Sequence, residues 1–282
     1  MIIDIHSHIF PSAIAAKTVD KLATAACVNP NTDGTAEGLS ASMRRAGIDY
    51  SVTLPAVTNP DKVRSINDKQ IDYLESDLAM GILPFAGMHP LFVDYKAEMK
   101  RLRDAGIKGI KLHPAYQQID FDAPEMMHIV DAASNEGLLT IVHGGIDIGI
   151  YDHNYSSVEH ILKVVDTVHP EGLIMAHMGN WGNWEQVESD LAGAPIYMDT
   201  AFTIGTIHPY QDAPKTPYGD CTLDDDLFVR IVRKHGADRI LFGTDSPWQD
   251  QKDYVQQLAA LPLTADEKKM ILGENAKRLL KL

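Results

Sequence analysis

One repeating unit constrains this chain more than any other feature: a short β-branched run, a polar loop, then a stretch of helical periodicity. The strand-like runs fall at 2–6, 50–54, 82–88, 107–113, 138–143, 173–177, 196–200 and 239–245. Helical periodicity fills 35–46, 61–80, 95–104, 123–135, 157–168, 184–191 and 224–235, and two more stretches, 251–261 and 264–282, follow the last strand. Strands that alternate with helices predict a parallel sheet. Eight such units predict a (β/α)8 TIM barrel, a single domain over 1–282 with an extra C-terminal helical segment. A doubly wound open sheet would put a glycine-rich phosphate turn after its first strand. This chain has His6-Ser-His-Ile-Phe-Pro11 there instead. Gly47, Gly81, Gly106, Gly137, Gly172 and Gly236 fall where helices should stop, and Thr264-Ala-Asp-Glu267 reads as a capping box.

Charge and cysteine usage narrow the partners. Lys+Arg 25 against Asp+Glu 39 gives a net charge of −14. So acidic a surface repels phosphate backbones and anionic membranes, so neither nucleic acid nor membrane is an expected partner. No apolar run approaches the roughly 20 residues of a membrane span. The opening residues lack the basic region of a signal peptide. Cys27 and Cys221 lie far apart and form no Cys-x-x-Cys pair, so neither a disulfide framework nor a thiolate zinc site is expected. A cytoplasmic protein acting on a small molecule fits these features.

In a TIM barrel the chemistry collects at the C-terminal ends of the strands. Here those ends carry His6 and His8, His89, His113, His143, His177, Asp199 and Asp245. The strand period of two places Asp4, His6 and His8 on one face and Ile3 and Ile5 on the other. In the fourth strand it groups Gly109, Lys111 and His113 against Ile110 and Leu112. The outward face packs on helices and tolerates no unpaired charge, so the polar sets are expected inside. Gathering several imidazoles and a carboxylate at one mouth costs desolvation unless they share a task, and a divalent cation is such a task. His-x-His delivers two neutral nitrogen donors from one backbone segment, which suits zinc or a similar cation.

His6-x-His8, His143, His177 and Asp245 resemble the metal-dependent amidohydrolase superfamily, and most closely its amidohydrolase-related branch, which includes aminocarboxymuconate-semialdehyde decarboxylase. Ile3-Asp-Ile-His-Ser-His-Ile-Phe-Pro11 is similar to that branch's opening. Met175-Ala-His-Met-Gly179 and Ile240-Leu-Phe-Gly-Thr-Asp-Ser-Pro247 resemble its sixth and eighth strands, and Gly273-Glu-Asn-Ala276 its closing helix. The resemblance implies that His6, His8, His143 and Asp245 bind one divalent metal, zinc first and manganese as the alternative. It implies that His177 and Asp245 are catalytic, His177 beside the substrate and Asp245 as a proton acceptor. Three imidazoles and one carboxylate would leave a net positive charge that lowers the pKa of a bound water toward about 7. Lys111 departs from the decarboxylase-like members. In binuclear relatives a strand-four lysine is carbamylated and bridges two metals, so Lys111 and His177 are the second-metal option. The alternative is that Lys111 points inward and pairs with Asp4.

The resemblance does not fix the substrate. Aromatic residues after the strand ends, Tyr116, Tyr151, Trp181, Trp184, Tyr210 and Trp248, suit a flat acid or ring. His113, His89, Trp181, Trp248 and Tyr116 are the expected substrate contacts, with Arg64 as the cation for a carboxylate. The 201–222 segment reads as a lid over the mouth, a surface excursion or a subunit contact in a homo-oligomer. The first expectation is hydrolysis of a small amide, lactone or cyclic ester by a metal-activated water. The alternative is metal-dependent, non-oxidative decarboxylation of an aromatic or unsaturated carboxylic acid. The family's decarboxylases often carry a longer insertion with an arginine after strand one. The 10–35 stretch here is short and has no arginine, which favours hydrolysis. A non-catalytic metal-binding barrel is disfavoured, because a structural zinc site is normally closed by four protein ligands without an extra histidine.

Overall fold

The computed structural model describes residues 1–211 and 221–282. Its strands are β1 (Ile3–Ser7), β2 (Tyr50–Thr53), β3 (Ile82–Pro84 and Ala86–Gly87, interrupted at Phe85), β4 (Gly109–Leu112), β5 (Leu139–Val142), β6 (Leu173–Met175), β7 (Tyr197–Asp199) and β8 (Ile240–Leu241). Every pairing is parallel and joins neighbours in sequence. The ring closes between β8 and β1, where the Ile5 amide donates to Phe242 O at 2.8 Å and the Asp245 amide to His6 O at 2.8 Å. The expected barrel is the observed one.

The helices are α1 (Ser12–Ala26), α2 (Ala36–Ala46), α3 (Val63–Asp72), α4 (Leu74–Ala79), α5 (Tyr95–Asp104), α6 (Pro114–Gln117), α7 (Pro124–Asn135), α8 (Val158–Val168), α9 (Trp184–Gln186), α10 (Asp225–His235), α11 (Gln251–Ala260), α12 (Ala265–Lys269) and α13 (Asn275–Leu280). The expected helix at 61–80 is divided at Tyr73, and the last helical segment carries a π turn at Met270–Glu274. The Thr264–Glu267 capping box forms with both of its hydrogen bonds. Gly47 ends α2 in the left-handed conformation that glycine adopts without a Cβ penalty. α1 was not expected. Ala15, Val19 and Ala23 recur every fourth residue and are buried, the stripe an amphipathic helix needs.

Two apolar layers hold the barrel. Inside lie Ile3, Ile5, Val52, Leu54, Leu83, Phe85, Leu139, Ile141, Ile174 and Leu241, and Ala276 and Leu280 of α13 join them. Outside, Ile110, Leu112, Val142, Met175 and Met198 meet helix residues such as Met43, Leu102, Ile129, Val164 and Phe228.

This layering corrects the expected facing of β1. Ile3 and Ile5 are interior. Asp4 is buried on the helix side, where it accepts from Thr244 Oγ1 at 2.6 Å and Gln251 Nε2 at 2.7 Å. The cause is a register shift. Asp4 pairs with Ser51 and Ser7 with Thr53, so three steps along β1 match two along β2. A bulge of this kind reverses the alternation beyond it and re-aims side chains. Hence His6 and His8 reach the cavity although Asp4 does not. In β4 the alternation holds, with Lys111 interior and Ile110 and Leu112 outside.

Candidate metal centre and cavity

Three side chains from the two ends of the chain meet above β1 and β8. Ligand atoms of His6, His8 and Asp245 all lie within 4.8 Å of one another. Each imidazole is oriented from behind. His6 Nδ1–H donates to Asp199 Oδ2 at 2.9 Å, and His8 Nδ1–H donates to Leu54 O at 2.8 Å. These bonds leave both Nε2 atoms as acceptors. They face Asp245 Oδ1, at 3.5 Å from His6 and 2.9 Å from His8. Two lone pairs and a carboxylate oxygen directed at one another repel unless a cation or proton lies among them. The donor set therefore fits a divalent metal.

Neighbouring groups extend the site. His177 Nδ1–H donates to Ala201 O at 2.8 Å, so its Nε2 accepts from His143 Nδ1 at 3.0 Å. His143 Nε2 is then buried with no hydrogen-bond partner among the described residues. Its lone pair is therefore open to a further interaction. His143 is not in the His6–His8–Asp245 cluster, however, but in a second one with His113 and Asp147. That second cluster is a poor chelator. The His113 and His143 rings stack at 4.2 Å and 15°, so their nitrogen lone pairs run side by side instead of converging. His113 Nδ1 also accepts from the Tyr116 amide at 3.3 Å, leaving Nε2–H to face Asp147 at 3.6 Å. His177 adjoins both clusters, with ring centroids 5.2 Å from His6 and 4.6 Å from His143.

Burial sets the protonation states. It pushes the pKa values of His6, His113 and His143 well below the ordinary histidine value, and the Lys111 charge adds to this. Burial lowers His177 as well. These imidazoles are neutral at pH 7, the form that ligates metals. Burial would raise Asp245, but the close contact with His8 and the nearby His6 and His177 hold it below the usual carboxylate value. Asp147 is raised to about 6, by burial and then by the Asp245 charge. Burial lowers Lys111 to about 8 against the pull of Asp199, Asp245 and Asp147.

Two of these residues sit on strained backbone. His177 has φ 61° and Asp245 φ 66°, a region that non-glycine residues seldom occupy. The surroundings pin both. The His177 amide donates to Asp199 Oδ1 at 2.9 Å, and the Asp245 amide to His6 O. Such strain persists where neighbouring bonds over-determine it, and it aims both side chains into the cavity. Beside them, Gly144 is required by close approach. A Cβ there would lie 2.4 Å from Gly179 O.

The groups converge on a cavity of about 460 Å3. His6, His8, Lys111, His113, His143, Asp147, His177 and Asp245 line it, with Tyr116, Trp181, Phe202 and Trp248 as aromatic walls. Of the expected substrate contacts, His113, Tyr116, Trp181 and Trp248 therefore line the cavity. His89 and Arg64 do not. His89 is buried and accepts from the Leu91 amide at 3.2 Å, which holds the turn after β3. Arg64 is turned to Glu98, a buried carboxylate of α5 that also binds Arg101 and Asn67. Lys111 does not pair with Asp4. Its Nζ lies 3.5 Å from His6 Nε2. Tyr151 and Tyr210 do not line the cavity, and Trp184 Nε1 donates to His177 O behind it. The expected lid at 201–222 falls partly on 212–220, outside the described residues.

Sequence reasoning missed two contributors. Asp199 was noted at a strand end without a role, yet it orients His6 and caps the His177 and Ala201 amides. α1 falls in the 10–35 stretch, where no helix is expected from the sequence, yet Ile14, Thr18 and Leu22, spaced by four, line the cavity.

A family model described as amidohydrolase matches residues 3–282. No curated protein matches the chain. Among solved structures, an uncharacterized TIM-barrel protein from Bordetella bronchiseptica superposes with a TM-score of 0.76 at 20% identity, covering 99% of this chain and 98% of that one. A 5-carboxyvanillate decarboxylase from Novosphingobium aromaticivorans, with bound manganese and 3-methoxy-4-hydroxy-5-nitrobenzoic acid, gives 0.70 at 13% identity and covers 100% and 97%. A protein assigned as a 2-pyrone-4,6-dicarboxylic acid hydrolase from Pseudomonas putida gives 0.68 at 14% identity and covers 99% and 97%. At these identities the superpositions speak for the barrel. The family match spans the strand-end histidines and Asp245, and on it the chain belongs to the amidohydrolase family.

Proposed function

We propose that this chain is a metal-dependent decarboxylase of a small aromatic or unsaturated carboxylic acid. The observation that carries the reading is one cavity in which an acceptor cluster that needs a cation adjoins walls of Tyr116, Trp181, Phe202 and Trp248. Manganese-bound decarboxylases of aromatic acids among the similar structures support it. His6, His8 and Asp245, with His143 adjacent, would hold the ion. When bound, a divalent metal orients a carboxylate and withdraws electron density from it. The aromatic walls would hold a flat ring and exclude water. Loss of CO2 replaces a carbon–carboxyl bond by a carbon–hydrogen bond, so one proton must reach the ring carbon. His177 and Asp245 are the expected carriers. Asp147 joins them, because its pKa near 6 leaves it protonated more often near neutrality than Asp245.

One observation favours hydrolysis of a small amide, lactone or cyclic ester as the second reading. Asp245 is held ionised beside His8 Nε2, where a carboxylate can take a proton from water. A product assay on metal-loaded enzyme decides between them. The expected result is CO2 release from an aromatic acid with no new carboxylate. A new carboxylate without CO2, from a lactone or amide panel, would replace this reading with the second.

A further inference from the structure

We propose that Lys69, at the mouth of the cavity, recognises a second anionic group on the substrate. The ligand class is thereby a small dianionic acid, with one carboxylate at the histidine-lined floor and another at the rim. The inference rests on reading the cavity as a carboxylic-acid site.

The floor residues are buried, whereas Lys69 is exposed and still lines the same cavity, so it stands where the cavity opens. Gln70 lies beside it on α3, and Thr18 of α1 lines the same cavity. The orientation of α3 is fixed from its other side. Asn67 Nδ2 donates to Glu98 Oε1 at 3.0 Å, and the Gly87 amide donates to Asn67 Oδ1 at 3.0 Å. Arg64 on the same helix and Arg101 on α5 are both engaged by carboxylates. Lys69 has no ion pair with any described residue, in a chain whose acids outnumber its bases by 39 to 25. The carboxylates that line the cavity, Asp147 and Asp245, are buried at its floor among His113, His6 and His8. Among the described residues, Lys69 and the buried Lys111 are the lysines or arginines that line the cavity. Between the two positive ends the walls are apolar, so a flat spacer with an anion at each end matches the charge at both ends and the apolar middle.

The test reads binding and not turnover, so it is independent of the CO2 assay. Calorimetry on metal-loaded protein compares benzoate with isophthalate, which carries one more carboxylate on the same ring. Isophthalate is expected to bind about three- to tenfold tighter, with the ratio shrinking as salt is raised, as befits a partly exposed charge pair. The ratio should fall to near one in Lys69→Ala, fall further in Lys69→Glu, and persist in Lys69→Arg. Equal affinity of wild type for the two acids overturns the inference, as does a ratio unchanged in Lys69→Ala. So does the absence of measurable binding by either acid. A preserved ratio without CO2 release would count against the decarboxylase reading alone.

Discussion

The tautomer of His6 depends on one buried carboxylate. Asp199 Oδ2 accepts from His6 Nδ1–H while Oδ1 accepts the His177 and Ala201 amides. An asparagine can keep the two amide bonds through its oxygen. Its NH2 group would then face His6 Nδ1–H and drive the ring to the other tautomer, which turns Nε2 from acceptor into donor. Asp199→Asn should therefore stay folded and lose metal affinity by about 10–100-fold, measured by competition with a chelator. Unchanged affinity would mean that His6 does not need this partner. The example also marks what sequence can carry at this scale. His6, His8 and Asp245 were legible because each sits at a strand end inside a short motif. Asp199 sits in the same kind of place, but only the fold shows that it backs a histidine. Arg64 misses the cavity for a helical reason. Lys69 lies five residues further along α3, about 140° around the helix, and sequence proximity could not say which face opens to the cavity.

Elements were legible where punctuation and periodicity agreed. The eight strands and the helices closed by Gly47 and Gly236 follow that rule. α1 escaped because it stops at Cys27, in the left-handed conformation without a glycine, and starts after Pro11 with no side-chain cap. The bulge in β1 escaped because nothing in Ile-Asp-Ile-His-Ser marks an extra residue, and the partner strand alone reveals it. Pairs of elements also set pH dependence. Asp77 on α4 is buried, and burial together with the Glu37 charge from α2 raises its pKa to about 6 from an ordinary 3.8. Between those values the folded chain holds more protons than the unfolded one, so stability falls as pH rises through the window. Asp77→Asn should remove the effect. The variant should be more stable than wild type above pH 6, by up to about 3 kcal/mol, and equal to it below about pH 4. Urea unfolding across pH checks this, and a constant difference at all pH values would refute the titration.

At the scale of the whole molecule, the barrel closes where its first and last strands meet. The seam rests on backbone bonds from Ile5 to Phe242, Asp245 to His6 and His8 to Ser246, with α13 sealing the interior below through Ala276 and Leu280. The same seam brings together His6 and His8 from one side and Asp245 from the other. A metal held there would join residues separated by nearly the full chain, and it would bind the folded state alone. At an ion concentration a hundredfold above the dissociation constant, this linkage contributes about 2.7 kcal/mol. For a domain of this size, stripping the ion should lower the melting temperature by about 5–10 °C. Calorimetry with and without chelator reads the shift. His8→Ala, which removes one donor from the seam, should melt near the stripped wild type and respond little to chelator. A wild type indifferent to chelator would show that the closure stands without an ion. An equal shift in His8→Ala would place the bound metal elsewhere in the molecule.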